Sequence, residues 1–176
     1  MASGRRNNAA VNLRAVTRTL LIVAPLYAAG VVHAADTGDI AEGLRLYTQK
    51  GNCQVCHGWA GDGRKMDNQM PTGANLRESK LDRTAFVMIV KCGLPGTGMP
   101  PFDKFAYSDG RCFGKKESDL KAQGISMAEP PATLQPREVD LLADFAYAKI
   151  VGKGAMDRTK CADYWGGASE VCNEFK

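Results

Sequence analysis

The chain is short of histidine, of strand-like alternation and, once its amino terminus is set aside, of net charge. Only His33 and His57 are histidines among 176 residues, which puts a multi-histidine metal centre out of reach. If the amino-terminal segment is removed, a single imidazole remains, too few for a catalytic triad that has to find its histidine elsewhere in the chain. No second Cys-x-x-Cys pair accompanies Cys53-Gln54-Val55-Cys56, so the four-cysteine zinc site built from two such pairs is excluded. The absence of an internal repeat excludes a solenoid array.

Arg5, Arg6, Arg14 and Arg18 precede an apolar stretch from Leu20 to Val32 and a small-residue Val32-His33-Ala34 cleavage site. This pattern predicts a secretory signal peptide over residues 1–35, cleaved near Ala34 or Ala35, and hence a periplasmic protein. Pro25 interrupts the run, which is shorter than a spanning helix needs, so membrane contact is expected only if the leader is retained. Arg5-Arg6 also fits a twin-arginine signal, but the general secretory route is the expectation. Four of the 23 basic residues leave with the leader, and 19 then stand against 19 acidic ones. A balanced chain gives no sign of nucleic-acid binding, and any electrostatic steering must come from local patches. The remaining length suits one domain.

Helical spacing dominates that domain. Asp39 and Glu42 form an expected capping box for a first helix in which Ile40, Gly43, Leu44 and Tyr47 share a face, with Gly51 as its stop. Gly43 on that face is either an incidental surface glycine or the place where a second helix backbone passes closely. A second helix is expected over 82–92 and a short turn near 118–122. The clearest helix starts at Pro136, repeats Val139, Leu142, Phe145, Ala146 and Ile150 at helical spacing, and stops at Gly152. The segment 102–135 reads as a long loop insertion, and 153–176 as an apolar-poor tail with its own cysteine pair. The fold class is therefore all-α, with a signal peptide at 1–35, a domain at 36–152 and a tail at 153–176.

Cys53-Gln54-Val55-Cys56-His57 carries the chemistry. One helical turn brings both thiols to the same edge of a porphyrin, where they can join its vinyl groups, and the adjacent histidine is left facing the iron; this is the spacing of covalent haem c attachment. His57 being the last histidine, a bis-histidine haem within one chain is excluded, and the sixth ligand is a methionine, a weaker donor, water or nothing. Met99 is the leading candidate, because the glycines before it and Pro100-Pro101 after it let backbone pack against a flat cofactor while aiming one thioether. Met88 lies in a helix and is expected in the core, Met66 and Met70 follow His57 too closely, and Met127 sits in a polar linker.

These features resemble the class I c-type cytochromes, the monohaem soluble electron carriers. The resemblance covers about 39–152 and rests on the first helix running into the attachment motif, on Gly98-Met99-Pro100, and on the closing helix with Phe145 and Tyr147. It implies a cytochrome c fold in which the first and last helices cross, one haem c held by Cys53 and Cys56, and iron ligated by His57 and Met99. It also implies a proline whose carbonyl receives the haem histidine; Pro71 in Met70-Pro71-Thr72-Gly73 is only similar to the usual pattern. With Cys53 and Cys56 taken by haem, Cys92, Cys112, Cys161 and Cys172 allow three pairings, the most local being Cys92 with Cys112 and Cys161 with Cys172, and free thiols or a cysteine ligand stay open.

The expected function is a non-enzymatic carrier of single electrons, from a donor dehydrogenase such as a quinoprotein alcohol dehydrogenase to an acceptor such as a terminal oxidase. The alternative is a haem subunit of a redox enzyme complex, for sulfur oxidation or peroxidase-like chemistry. Lys91, Lys104, Arg111, Lys115 and Lys116 flank Met99 and read either as a basic docking rim or as a solvated loop.

Overall fold

The computed structural model describes residues 37–175 except Gly166 and Ala168; the expected leader lies outside the described residues. The described chain forms six α-helices: α1 Thr37–Arg45, α2 Gln54–His57, α3 Arg83–Cys92, α4 Glu117–Ala122, α5 Pro136–Lys149 and α6 Arg158–Trp165. A π-helical turn at Leu46–Lys50 extends α1, and 3-10 turns occupy Leu76–Glu78 and Glu170–Glu174. Among the described residues the sole β feature is an isolated antiparallel bridge between Cys112 and Lys115.

The core lies where α1 crosses α5. Leu46, Tyr47, Val139, Leu142, Ala143, Phe145, Ala146 and Ile150 are all buried there. Gly43 is the point of closest approach, since a Cβ built on it would run into Leu141 O and Phe145 Cβ. Only a residue without a Cβ lets the two backbones meet at that distance. The helix face read from the sequence is thus a crossing face, and Gly43 is its reason. The α3 helix packs on α5 as well, with Arg83 bridging Asp140 and Asp144, and the Tyr147 hydroxyl donating to Leu81 O at 2.5 Å.

Local signals account for most of the boundaries. Asp82 caps α3 by accepting from Ala85 N at 2.8 Å. Pro136 opens α5, and Glu138 reaches back to Gln135 N at 2.8 Å. The capping box expected at Asp39 and Glu42 does not form: both residues lie inside α1, and the Glu42 carboxylate pairs with Arg45, one turn on. Met88 is not in the core either, being exposed on the outer face of α3.

The long insertion departs and returns at nearly one place. Leu134 N donates to Phe102 O at 2.9 Å, and both residues belong to the main core. Between them the insertion gathers a second, smaller core of Cys92, Tyr107, Cys112 and Leu120, flanked by Ala106, Ile125 and Met127. The tail read as apolar-poor is in fact built on α6, which buries Cys161 and Tyr164.

Replacing Gly43 by alanine is expected to destabilise the protein by about 2–3 kcal/mol, because backbone atoms of α5 have nowhere to yield. Urea denaturation checks this, and a loss below about 0.5 kcal/mol would show that the crossing opens without cost.

Candidate functional site

The helix α2 places Cys53, Cys56 and His57 within one turn, and the way their neighbours are bonded fixes them. Cys53 N donates to Tyr47 O at 2.8 Å, tying the motif to the end of α1, and Gly73 N donates to Cys56 O at 2.9 Å. Beyond the histidine, every carbonyl from residue 57 to residue 61 has a donor. Gly63 N serves His57 O at 2.8 Å, the Tyr47 hydroxyl serves Gly58 O at 2.7 Å, and the Tyr164 hydroxyl serves Trp59 O at 2.8 Å. Arg77 Nη1 serves Ala60 O at 3.3 Å, and Leu76 N serves Gly61 O at 2.8 Å.

Arg77 is the largest of the fully buried side chains, 1% exposed. Its guanidinium donates to Ala60 O, to Lys149 O at 3.3 Å and to Gly154 O at 2.6 Å, so one cation binds the loop after the histidine to both sides of the end of α5. Burial lowers its pKa, with the charges of Asp62 and Asp157 acting the other way. Nothing in the sequence pattern singled out Arg77; an arginine in a polar loop reads as solvated until the carbonyls around it are seen.

The His57 ring stands against Gly73, where a Cβ would come within 2.6 Å of Nδ1. Nδ1 donates to Ala74 O at 2.9 Å. This corrects the expectation for Pro71: the carbonyl comes from Ala74, and Pro71 instead packs on Gly98, beside Met99, where a Cβ would come within 2.6 Å of Pro71 Cγ. The residues inserted between proline and leucine in this chain shift the accepting carbonyl along. Burial pushes the His57 pKa down, the bond to Ala74 partly opposing it. A neutral ring with Nδ1 engaged leaves Nε2 as its free lone pair, the state a metal-ligating histidine requires.

Cys53 and Cys56 are unpaired. Burial pushes the Cys53 thiol up to about 12 and raises Cys56 as well, so neither is a thiolate at neutral pH. That is the opposite of a thioredoxin-like pair, whose reactivity depends on a lowered thiol pKa. The other four cysteines form Cys92–Cys112 and Cys161–Cys172. The pairing is the local one among the three that the sequence allowed.

Met99 is half-buried against the main core together with Cys53, Trp59, Leu76 and Val87. Its turn is closed at both ends: Leu94 N donates to Met99 O at 3.1 Å, and Met99 N donates to Thr97 Oγ1 at 3.2 Å. Gly93 lies against the Met99 and Pro100 backbone, where any side chain would collide. Met66 and Met70 are exposed on the loop after the motif, and Met127 lies in the second core. The loop at Pro71–Ala74 thus touches His57 with one end and the Gly98-Met99 turn with the other.

The family model of cytochrome c oxidase, cbb3-type, subunit III matches residues 38–111, the stretch that runs from α1 through the motif and the Met99 turn. Residues 38–111 carry a c-type cytochrome domain, which supports a class I c-type cytochrome. No curated protein and no solved structure matches it. The all-α cytochrome c fold follows from the six helices and this match, and the cytochrome domain implies haem c binding and electron transfer with redox partner proteins rather than catalysis. The groups present fit such a cofactor: a neutral imidazole with a free Nε2, two unpaired protonated thiols one turn apart, and apolar side chains of the core beside them.

Two outcomes are expected of the cytochrome's supports. Arg77→Met leaves three backbone carbonyls without their donor and should cost about 3 kcal/mol or more in urea denaturation; an unchanged midpoint would show that the guanidinium is ornamental. Replacing Cys92 and Cys112 together by serine removes a crosslink across 20 residues and should cost about 3 kcal/mol, read as a fall in the thermal midpoint.

Proposed function

We propose that this cytochrome is an exported carrier of single electrons with one haem c, joined through Cys53 and Cys56 and ligated by His57 Nε2 and Met99 Sδ. The observation that carries the reading is the pair of unpaired thiols beside a neutral histidine whose Nδ1 is held by Ala74, within a cytochrome domain. On this reading residues 1–35 are the cleaved leader, 36–152 hold the haem, and 153–176 form a stapled tail in the periplasm.

When bound, the haem supplies a one-electron ferric/ferrous couple, and methionine ligation with an apolar pocket favours the ferrous state. The residues of the chain have two tasks. The bond from His57 Nδ1 to Ala74 O sets the ring's orientation and strengthens the imidazole as a donor. The Leu94–Met99 turn, pinned at both ends, would hold the Met99 thioether in place as a ligand. Such a site suits electron transfer between a dehydrogenase, for instance a quinoprotein alcohol dehydrogenase, and an oxidase or other acceptor. The second reading, a haem subunit of a larger redox complex, draws on the matched family's description as an oxidase subunit.

The optical spectrum of the mature oxidised protein tests the site. A weak charge-transfer band at the red end, reporting methionine bound to ferric iron, is expected in the wild type and should vanish in Met99→Ala. Its absence from the wild type would overturn the Met99 assignment and favour the subunit or enzyme reading. Acidified organic solvent should leave haem on the wild-type chain and extract it from a Cys53→Ala, Cys56→Ala variant.

A further inference from the structure

Among the described residues Arg77 is the one charged side chain that is buried, and every group its guanidinium bonds is neutral. Nη1 donates to Ala60 O and Lys149 O, and Nε donates to Gly154 O. Three carbonyls gathered round one side chain suit a planar fork of donors, and a guanidinium keeps its proton across the working pH range of a protein. The site therefore holds a whole positive charge out of water, bonded to dipoles alone.

Acidic groups stand nearby, each with a cation of its own. Asp62 and Asp157 act on Arg77 through space but form no ion pair with it among the described residues. Asp62 pairs with Arg64 at 2.6 Å and Asp157 with Lys160 at 2.9 Å, while Lys149, whose carbonyl serves Arg77, has its ammonium on Asp163 at 2.8 Å. The three pairs cancel, and the guanidinium charge is left over. Asp62 and Asp157 temper its field without neutralising it, Asp62 because Arg64 holds it and Asp157 because its side chain is 44% exposed to water.

That charge is tied to both segments that hold the His57 ring. Ala60 lies three residues past the histidine, and Arg77 N donates to Gly61 O at 3.2 Å and to Asn75 Oδ1 at 3.0 Å. Asn75 follows Ala74, whose carbonyl accepts from His57 Nδ1. A cation bonded beside both segments cannot drift from the imidazole without breaking the loop that carries it.

We propose that the buried Arg77 guanidinium raises the reduction potential of an iron ligated by His57, because its charge has no counterion and opposes the charge gained on oxidation. The inference rests on the electron-carrier reading above and deepens it. Oxidation removes one electron and adds one unit of positive charge at the iron. A fixed cation in a dry interior repels that added charge, and the water that would screen the repulsion is excluded. Arg77 bonds neither proposed ligand and acts through its field, as a positioned charge.

The test is a spectroelectrochemical titration of the holoprotein, wild type against Arg77→Gln and Arg77→Lys. Arg77→Gln keeps N–H donors for the carbonyls and removes the charge, whereas Arg77→Lys keeps the charge on a simpler donor. Arg77→Gln should shift the equilibrium toward ferric iron by about tenfold, about 59 mV for one electron, and the shift should persist in high salt because the charge is buried. Arg77→Lys should match the wild type within about twofold while its ammonium is charged, and fall by the same factor as that ammonium discharges on raising the pH, a step absent from the wild type. An unchanged or raised potential in Arg77→Gln would overturn the proposal. So would equal falls in both variants at every pH, which is what a purely structural role gives. Should Arg77→Gln lose its haem, the step in Arg77→Lys decides alone, and its absence sinks the idea. A wild-type protein with no one-electron wave would instead count against the carrier reading itself.

Discussion

The five carbonyls from His57 to Gly61 are the constraint on which the rest of the structure turns. Their donors come from the chain just beyond the histidine, from the π-helical turn that extends α1, from α6, and from the 3-10 turn at Leu76–Glu78. A loop rich in glycine has every reason to be soft, since Gly58, Gly61 and Gly63 all adopt positive φ. Tertiary hydrogen bonds, two of them from tyrosine hydroxyls and one from a buried cation, replace the stiffness that a regular element would have supplied. Each of those donors must itself be held: Tyr47 by the α1–α5 crossing, Tyr164 by α6, and Arg77 by the carbonyls at the end of α5.

This explains why the crossing at Gly43 matters to a histidine fourteen positions away. Tyr47 lies one turn beyond Gly43, its ring 5.8 Å from that of Phe145 and its hydroxyl on Gly58 O. Parting the two helices would withdraw the tyrosine and leave the first carbonyl after the histidine with Gly61 N alone, at 3.1 Å. The tail works from the opposite side. Trp59 is surrounded by Tyr164, Trp165 and Phe175, and the Cys161–Cys172 bond keeps the two parts of the tail that supply these rings together. An arrangement that looked like an appendage is a second wall of the site.

What could be read from the residues alone divides along a physical line. Features set by local chemistry were legible: the α3 cap at Asp82 and the start of α5 at Pro136; at Gly43 a surface glycine and a close helix approach were equally open, and the crossing of α1 and α5 decides for the second. Features set by distant partners were not. Glu42 chose Arg45 over a capping role because both stand on the same exposed helix face. Ala74 rather than Pro71 serves His57 because chain added after the proline displaces the carbonyl, and no local pattern encodes that displacement. Arg77 and Tyr164 gave no signal, since a buried donor to backbone has no sequence spacing; only the fold brings 77 to 154 and 164 to 59.

The two proposed ligands are thus supported by different means. His57 is held by the main core through the carbonyls that follow it, whereas Met99 depends on a short turn backed by Gly93 and by a disulfide into the second core. Electron transfer is fast when ligand geometry changes little between oxidation states, so on the proposed reading both supports have to be stiff. Trp59, two residues after the histidine, is covered by α6 and the tail rings, whereas the insertion follows directly on the Met99 turn. An insertion placed there can vary its outer surface, as Phe105 and Phe113 do, without disturbing the packing that holds the thioether, because Tyr107, Cys112 and Leu120 turn inward and absorb the mechanical load. Because the second core turns inward, the turn at Phe113, with φ of 55°, can sit on its outer side without disturbing the packing behind the Met99 turn.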